Sequence, residues 1–205
     1  LGFTNSIIVL DSENELDRLM KLVGDTKIKI GIRMAIEEEP QSAYYTSRLG
    51  IPCRDIMRVY NEKIKGKENI ELKVLHFFVD SGIKDSMYYW EVFNKALGIY
   101  TDLKKNCQDL DSFDLGGGFP VRNHLGFEYD YEYMIKEIVK NIKEICNKEH
   151  VEEPHILTEF GKFTVDFLHF GDSERRIADN LKDNILNTLV GNLSCSGFLF
   201  GRVFL

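Results

Sequence analysis

The sequence predicts an α/β fold built on a parallel sheet, and two observations carry that prediction. Short apolar runs of strand length alternate with amphipathic stretches of helix length, five times in succession. The segments rich in glycine or carrying isolated charges fall where a strand ends and the chain leaves it, the face on which α/β barrels place their chemistry.

Taken in order, residues 6–10 (SIIVL) form the first strand. In DSENELDRLMKL, residues 11–22, Ser12 caps a helix and Glu15 completes a capping box. Leu16, Leu19, Met20 and Val23 give that helix one apolar face. Residues 27–35 (KIKIGIRMA) alternate Ile28, Ile30, Ile32 and Met34 as a strand does, and a shorter helix over 54–66 ends at Gly66. A strand at 72–79 (LKVLHFFV) leads to a helix at 86–103 capped by Asp85. A strand at 112–115 (SFDL) leads to a helix at 131–147, whose Ile135, Ile138, Ile142 and Ile145 share a face. The last pair is a strand at 155–160 (HILTEF) and a helix at 173–190. Periodicity alone does not separate a doubly wound sheet from a barrel.

At 205 residues the chain suffices for one domain with a full core, or most of a larger one. Its 43% hydrophobic and 29% charged residues are ordinary for a soluble globular protein. A formal net charge of −7 argues against a general nucleic-acid binder, which needs a basic face. The four cysteines, Cys53, Cys107, Cys146 and Cys195, are scattered without metal or redox spacing, so a reduced, cytoplasmic protein is expected. No apolar run reaches membrane-spanning length and no signal-peptide pattern opens the chain. The chain begins at Leu1 rather than methionine, and is expected to be an internal piece of something longer or a sequence from which stretches have been lost.

Two loops carry the candidate chemistry. The glycines Gly116, Gly117 and Gly118 can bring backbone N–H groups close to an anion at a helix N-terminus, or can simply make a tight turn. The run has neither the lysine of a Walker loop nor the spacing of a dinucleotide fingerprint. Glu159 stands in or at the end of an apolar strand, where a carboxylate needs a positive partner. That partner is either a protonated ring nitrogen of a cofactor or a lysine or arginine on a neighbouring strand. Lys162 adds a cation in the same loop.

These segments resemble, in order and approximate spacing, five motifs of the ornithine/arginine/diaminopimelate decarboxylases, the fold-III pyridoxal-phosphate enzymes. FDLGGGFP is similar to their Asp-x-Gly-Gly-Gly-Phe-Pro signature. TEFGKF resembles their Glu-Pro-Gly-Arg motif, with Phe160 and Lys162 in place of proline and arginine. TSRLGI, LHFFVDSGI and NLSCSG resemble their Ser-Arg/Lys-Phe-Gly, His-x-Gly-Ser-Gly and Gly-Pro-x-Cys-Asp segments. EEEPQSAYYTSRLGI, GIKDSMYYW and NHLGFEYDYEYMI look closest to the bacterial arginine decarboxylases. The resemblance covers most of residues 1–165.

The resemblance implies a (β/α)8 TIM barrel of the alanine-racemase/decarboxylase type, incomplete here. Residues 1–190 would be the later strands of the pyridoxal-phosphate-binding barrel, and 191–205 the start or remnant of a C-terminal β-domain. The implied cofactor is pyridoxal 5'-phosphate. Gly116, Gly117, Gly118, Gly161 and Lys162 would hold its phosphate, helped by Ser81 and Gly82. Glu159 would keep the pyridine nitrogen protonated, and Arg48 would help to orient the ring. Cys195, contributed across a homodimer interface, would return a proton to the substrate's α-carbon as general acid. Taken alone, Cys195 would be read as a buried, inert thiol, the usual fate of a free cysteine. The implied activity is a lyase reaction, decarboxylation of a basic amino acid, with arginine to agmatine in polyamine biosynthesis the leading case. No nucleic-acid or membrane partner is expected.

The chain departs from the family at several positions. Phe78 stands where the family has a histidine that stacks on the ring, and His76 reads as a core histidine on the opposite face of its strand. Ser196 replaces the aspartate that follows the catalytic cysteine. No lysine matches the one that holds the cofactor covalently, which belongs on an earlier strand. A non-catalytic homologue that regulates by protein binding is therefore a second reading. A barrel enzyme for a phosphorylated sugar is a third, for which the glycines would suffice but five ordered motifs would not be expected.

Overall fold

Alternating strands and helices appear as the periodicity predicts. The computed structural model describes residues 6–36, 49–79, 82–120 and 128–159. The helix expected at 173–190, the segment 191–205, and Arg48, Ser81, Gly161, Lys162 and Cys195 lie outside the described residues. The elements are β1 (Ile7–Leu10), α1 (Glu13–Val23), β2 (Ile28–Ala35), β3 (Ile51–Pro52), α2 (Cys53–Val59), β4 (Ile70–His76), α3 (Met87–Asn106), β5 (Ser112–Asp114), α4 (Tyr131–Glu149) and β6 (His155–Leu157).

All the strand pairs are parallel, and the long strands stand in the order β1-β2-β4-β5-β6. β3 prolongs the sheet at the end of β2, pairing Ile51 with Met34 and Pro52 with Ala35. Strand order follows chain order without reversing. A doubly wound sheet reverses at its switch point, whereas a barrel does not, so the described strands form an arc of a barrel.

Local chemistry explains the boundaries. At α1 the Ser12 side chain accepts from the Glu15 N–H at 3.2 Å. Glu15 reaches back one residue further than expected, to the Asp11 N–H at 2.7 Å. The expected cap of α3 is corrected: Ser86, not Asp85, accepts from the Tyr89 N–H at 3.2 Å. Asp85 instead takes the indole N–H of Trp90 at 2.9 Å. Asp130 caps α4 through the Tyr133 N–H. The expected helix over 54–66 starts at Cys53 and widens after Val59 into a π-helical turn, Tyr60–Ile64. The Tyr60 hydroxyl anchors that turn by donating to the Asn106 carbonyl at 2.9 Å.

Strand register sorts the side chains into rows. Leu10, Ile32, Leu75, Phe113 and Ile156 are mutual neighbours across five strands, and every one is buried. This row faces the helices: the Phe113 ring lies 5.4 Å from Phe77, 6.1 Å from Phe93 and 5.7 Å from Tyr100. Ile135, Ile138 and Ile142 of α4 are buried as the helical spacing predicts, and Ile145 packs at the edge of the core. One position later along the strands, Arg33, His76 and Asp114 are register partners, and alternation turns them to the opposite face. Among the described residues no helix is long and apolar enough to cross a membrane.

Candidate functional site

The strands end earlier than the sequence predicts, and the loops that follow are laced together by main-chain bonds. β4 stops at His76 rather than at residue 79, and β6 at Leu157 rather than at 160. Past those ends, Phe77 N–H donates to Asp114 O at 3.1 Å, Leu115 N–H to Leu157 O at 3.0 Å, and Glu159 N–H to Gly116 O at 2.9 Å. Ile83 N–H donates to Gly118 O at 2.9 Å. The Tyr129 hydroxyl holds the Ile83 carbonyl at 3.0 Å and the Tyr131 hydroxyl holds the Pro120 carbonyl. Three successive loops are thus fixed against one another at the C-terminal end of the sheet.

Glycine is needed where two of these loops touch. A β-carbon on Gly118 would lie 2.7 Å from the Gly82 α-carbon, and one on Gly82 would lie 2.6 Å from the Gly118 oxygen. Both have positive φ, +94° and +81°, which L side chains rarely adopt. This much would follow from a tight turn alone. The donors add something further. Gly116 N–H is taken by the Asp114 carboxylate at 2.9 Å. The N–H groups of Gly117 and Gly118, both partly exposed, donate to no protein group among the described residues. Two adjacent free N–H groups form the kind of backbone nest that accepts an anion.

Charged side chains converge beside this nest. The Asp11 carboxylate pairs with Arg33 at 3.3 Å, and the Arg33 guanidinium stands over the Phe78 ring, 5.7 Å from its centroid. A cation over an aromatic face contributes roughly 0.5–2 kcal/mol, the more so when water is excluded. His76, only 1% exposed, has Nδ1 at 3.1 Å from Asp114 Oδ2 but outside hydrogen-bond alignment. A buried polar atom left unmatched costs about 1–3 kcal/mol. One donor atom each of His76, Asp114 and Glu159 lies within 4.8 Å of the others.

The expectation that His76 faces away from Phe78 is corrected here. Residues two apart on a strand share a face, and a β-carbon on Gly116 would lie 3.1 Å from Phe78 Cδ2 and 3.4 Å from His76 Cε1. The structure therefore gathers Gly82, Gly116, Gly117, Gly118, Phe78 and Glu159 at one end of the sheet, and adds Arg33, His76 and Asp114, which the sequence reading left out. A signal for these three was present: each is a charged or ionisable residue, buried or half-buried, at or near the C-terminal end of its strand.

These residues suit pyridoxal phosphate. Free N–H groups match its phosphate, the half-buried Phe78 ring offers an aromatic face beside the glycines, and Glu159 supplies a carboxylate for a ring nitrogen. Comparison with known proteins reaches the same group. Residues 4–166 match the family model described as pyridoxal-dependent decarboxylase, pyridoxal binding domain. The biosynthetic arginine decarboxylase of Prochlorococcus marinus (strain MIT 9215) is 24% identical over 172 residues, 77% of this chain and 26% of the relative. The chain thus spans about a quarter of the length of the curated relatives it matches. The crystal structure of the biosynthetic arginine decarboxylase from Campylobacter jejuni aligns with a TM-score of 0.58 at 21% identity, covering 76% of this chain and 26% of that one. That of diaminopimelate decarboxylase from M. jannaschi gives 0.64 at 16% identity, covering 76% and 38%. These likenesses show the fold, a part of the decarboxylase TIM barrel. On the match to its pyridoxal-binding model, the chain belongs to the pyridoxal-dependent decarboxylase family.

Proposed function

We propose that the protein carrying this chain decarboxylates a basic amino acid with pyridoxal phosphate, arginine to agmatine being the favoured reaction, in polyamine biosynthesis. The observation that carries the reading is the pair of free N–H groups at Gly117 and Gly118 set beside Phe78 and the Glu159 carboxylate. The names of the similar proteins support arginine among the basic amino acids.

When bound, pyridoxal phosphate supplies an electron sink for the pair left at the α-carbon as carbon dioxide departs. Gly117 and Gly118 hold the phosphate by their N–H groups, joined by Ser81, Gly161 and Lys162. Phe78 lies against the ring as a neutral aromatic, backed by Arg33, and Arg48 helps to orient the ring. Glu159 keeps a proton on the ring nitrogen. Cys195, reaching in from a second copy, returns a proton to the α-carbon. On this reading residues 1–190 belong to the barrel, 191–205 open a β-domain, and the protein is a cytoplasmic homodimer with shared active sites.

The test is release of carbon dioxide from carboxyl-labelled arginine, ornithine, lysine and diaminopimelate by the full-length protein supplied with pyridoxal phosphate. Arginine should be the best substrate. Glu159→Gln should leave the cofactor bound and slow the reaction about a hundredfold, on the order of 3 kcal/mol. A better rate with another amino acid would reassign the substrate. Bound cofactor without carbon dioxide from any of the four would favour a non-catalytic, regulatory homologue, the reading to which Phe78 in the place of a histidine points.

A further inference from the structure

We infer that His76 is a positioning residue that bridges Asp114 and Glu159 and so fixes the Glu159 carboxylate on the cofactor's ring nitrogen. The inference rests on the pyridoxal-phosphate reading of the site.

The geometry sets His76 apart from an ordinary core histidine. Its side chain is almost wholly buried, yet Nδ1 stands 3.1 Å from the Asp114 carboxylate without a hydrogen bond. Buried imidazole nitrogens are normally matched, and an exception needs a reason. Asp114 cannot turn freely to meet it, because its other oxygen receives the Gly116 N–H at 2.9 Å. Glu159 is tethered to the same glycine, its own N–H donating to Gly116 O at 2.9 Å. Gly116 therefore holds both acidic residues, and His76 faces both across a gap of no more than 4.8 Å. Arg33, the register neighbour of His76, is already engaged by Asp11 and the Phe78 ring. The imidazole thus lies within reach of both carboxylates. An imidazole that donates one ring N–H to each carboxylate limits how the Glu159 side chain can rotate. That is the orientation a carboxylate needs if it is to meet a ring nitrogen rather than solvent.

The experiment compares two ligands on the full-length protein, pyridoxal phosphate and its 1-deaza analogue, in which C–H replaces the ring nitrogen. Dissociation constants are read from ligand absorbance and fluorescence, with no turnover involved. His76→Phe keeps the volume and removes the nitrogens, and should weaken pyridoxal phosphate about tenfold, the effect of one hydrogen bond to a charged group. The analogue should be held within about twofold of the unaltered protein. In a Glu159→Gln background the same substitution should have no further effect on either ligand. His76→Asn, which restores a short polar side chain, should recover part of the loss. Equal weakening of both ligands, or additive effects of the two substitutions, would show His76 to be only structural and overturn the inference. It would leave the cofactor assignment intact. Failure of the unaltered protein to bind either ligand would overturn the cofactor reading and this inference with it.

Discussion

Two neighbouring rows of one sheet differ by a single step along the chain. Leu10, Ile32, Leu75, Phe113 and Ile156 are buried, apolar and turned to the helices. One position later, Arg33, His76 and Asp114 carry polar and charged groups onto the opposite face, at the end where the strands give way to loops. The first row holds its place by area removed from water, tolerates no polar atom and needs no partner. The second holds its place by named partners, and each group there is costly wherever a partner is missing. Substitutions in the two rows should accordingly be read by different instruments, stability for the first and ligand binding for the second.

The largest effect is expected in the apolar row. Phe113 lies among Phe77, Phe93 and Tyr100, so Phe113→Ala removes a ring that three others pack against. A cost of about 3–5 kcal/mol is expected, seen as a lower midpoint in urea unfolding of the protein. A loss below about 1 kcal/mol would mean that the sheet–helix layer can collapse around the gap, and would blur the contrast between the rows.

The second test lies in the glycine loop and separates architecture from binding. Gly118→Ala meets the Gly82 backbone at 2.7 Å and a positive φ, so both stability and affinity for pyridoxal phosphate should fall. Gly117 has no such φ, and its added β-carbon would make one tight contact, with the Glu159 carbonyl at 3.1 Å, and ordinary contacts with Glu159 Cβ at 3.6 Å and Phe78 Cε2 at 3.9 Å. Gly117→Ala should therefore cost less than about 1 kcal/mol of stability while weakening the phosphate contact, with affinity lowered about tenfold. Paired urea and fluorescence titrations would check this. Unchanged affinity in Gly117→Ala would return the glycines to the role of a tight turn.

Strand parity explains why part of this site was legible in the sequence and part was not. Alternation along single strands is local, so Ile28, Ile30, Ile32 and Met34 announce β2, and the Ser12–Glu15 pair announces the start of α1. The glycines and Glu159 stand in contiguous motifs, which survive reading one segment at a time. Arg33, His76 and Asp114 come from three strands, and their adjacency is a matter of register, which no single segment encodes. β3 is too short to show a period, and it pairs with β2 across a gap in sequence. The π-helical turn after Val59 takes its anchor from Asn106, far along the chain. Asp85 and Ser86 are both good caps side by side, and it is the indole of Trp90 that claims the aspartate and leaves the serine to the helix.

The smallest effect should come from charges that share no row with the core. Where α1 meets α2 and the turn after it, Glu13 lies 2.9 Å from both Arg58 and Lys63, and Lys63 lies 2.6 Å from Asp17. Hydrogen bonds from Arg58 and Lys63 hold the Glu13 carboxyl at about 2, below its usual 4.5. A carboxyl whose pKa is depressed by folding stabilises the protein above its unfolded pKa, and that contribution is lost as pH falls through the folded value. The stabilisation should thus be complete above about pH 5 and lost progressively as the pH falls through about 2. The groups are partly exposed, so solvent and salt screen them, and Glu13→Gln should cost under about 1 kcal/mol at neutral pH. The difference from the unaltered protein should shrink in molar salt and close as the pH falls through and below about 2. A loss above about 2 kcal/mol that salt does not change would show this seam behaving like the buried polar row, with its partners held away from water.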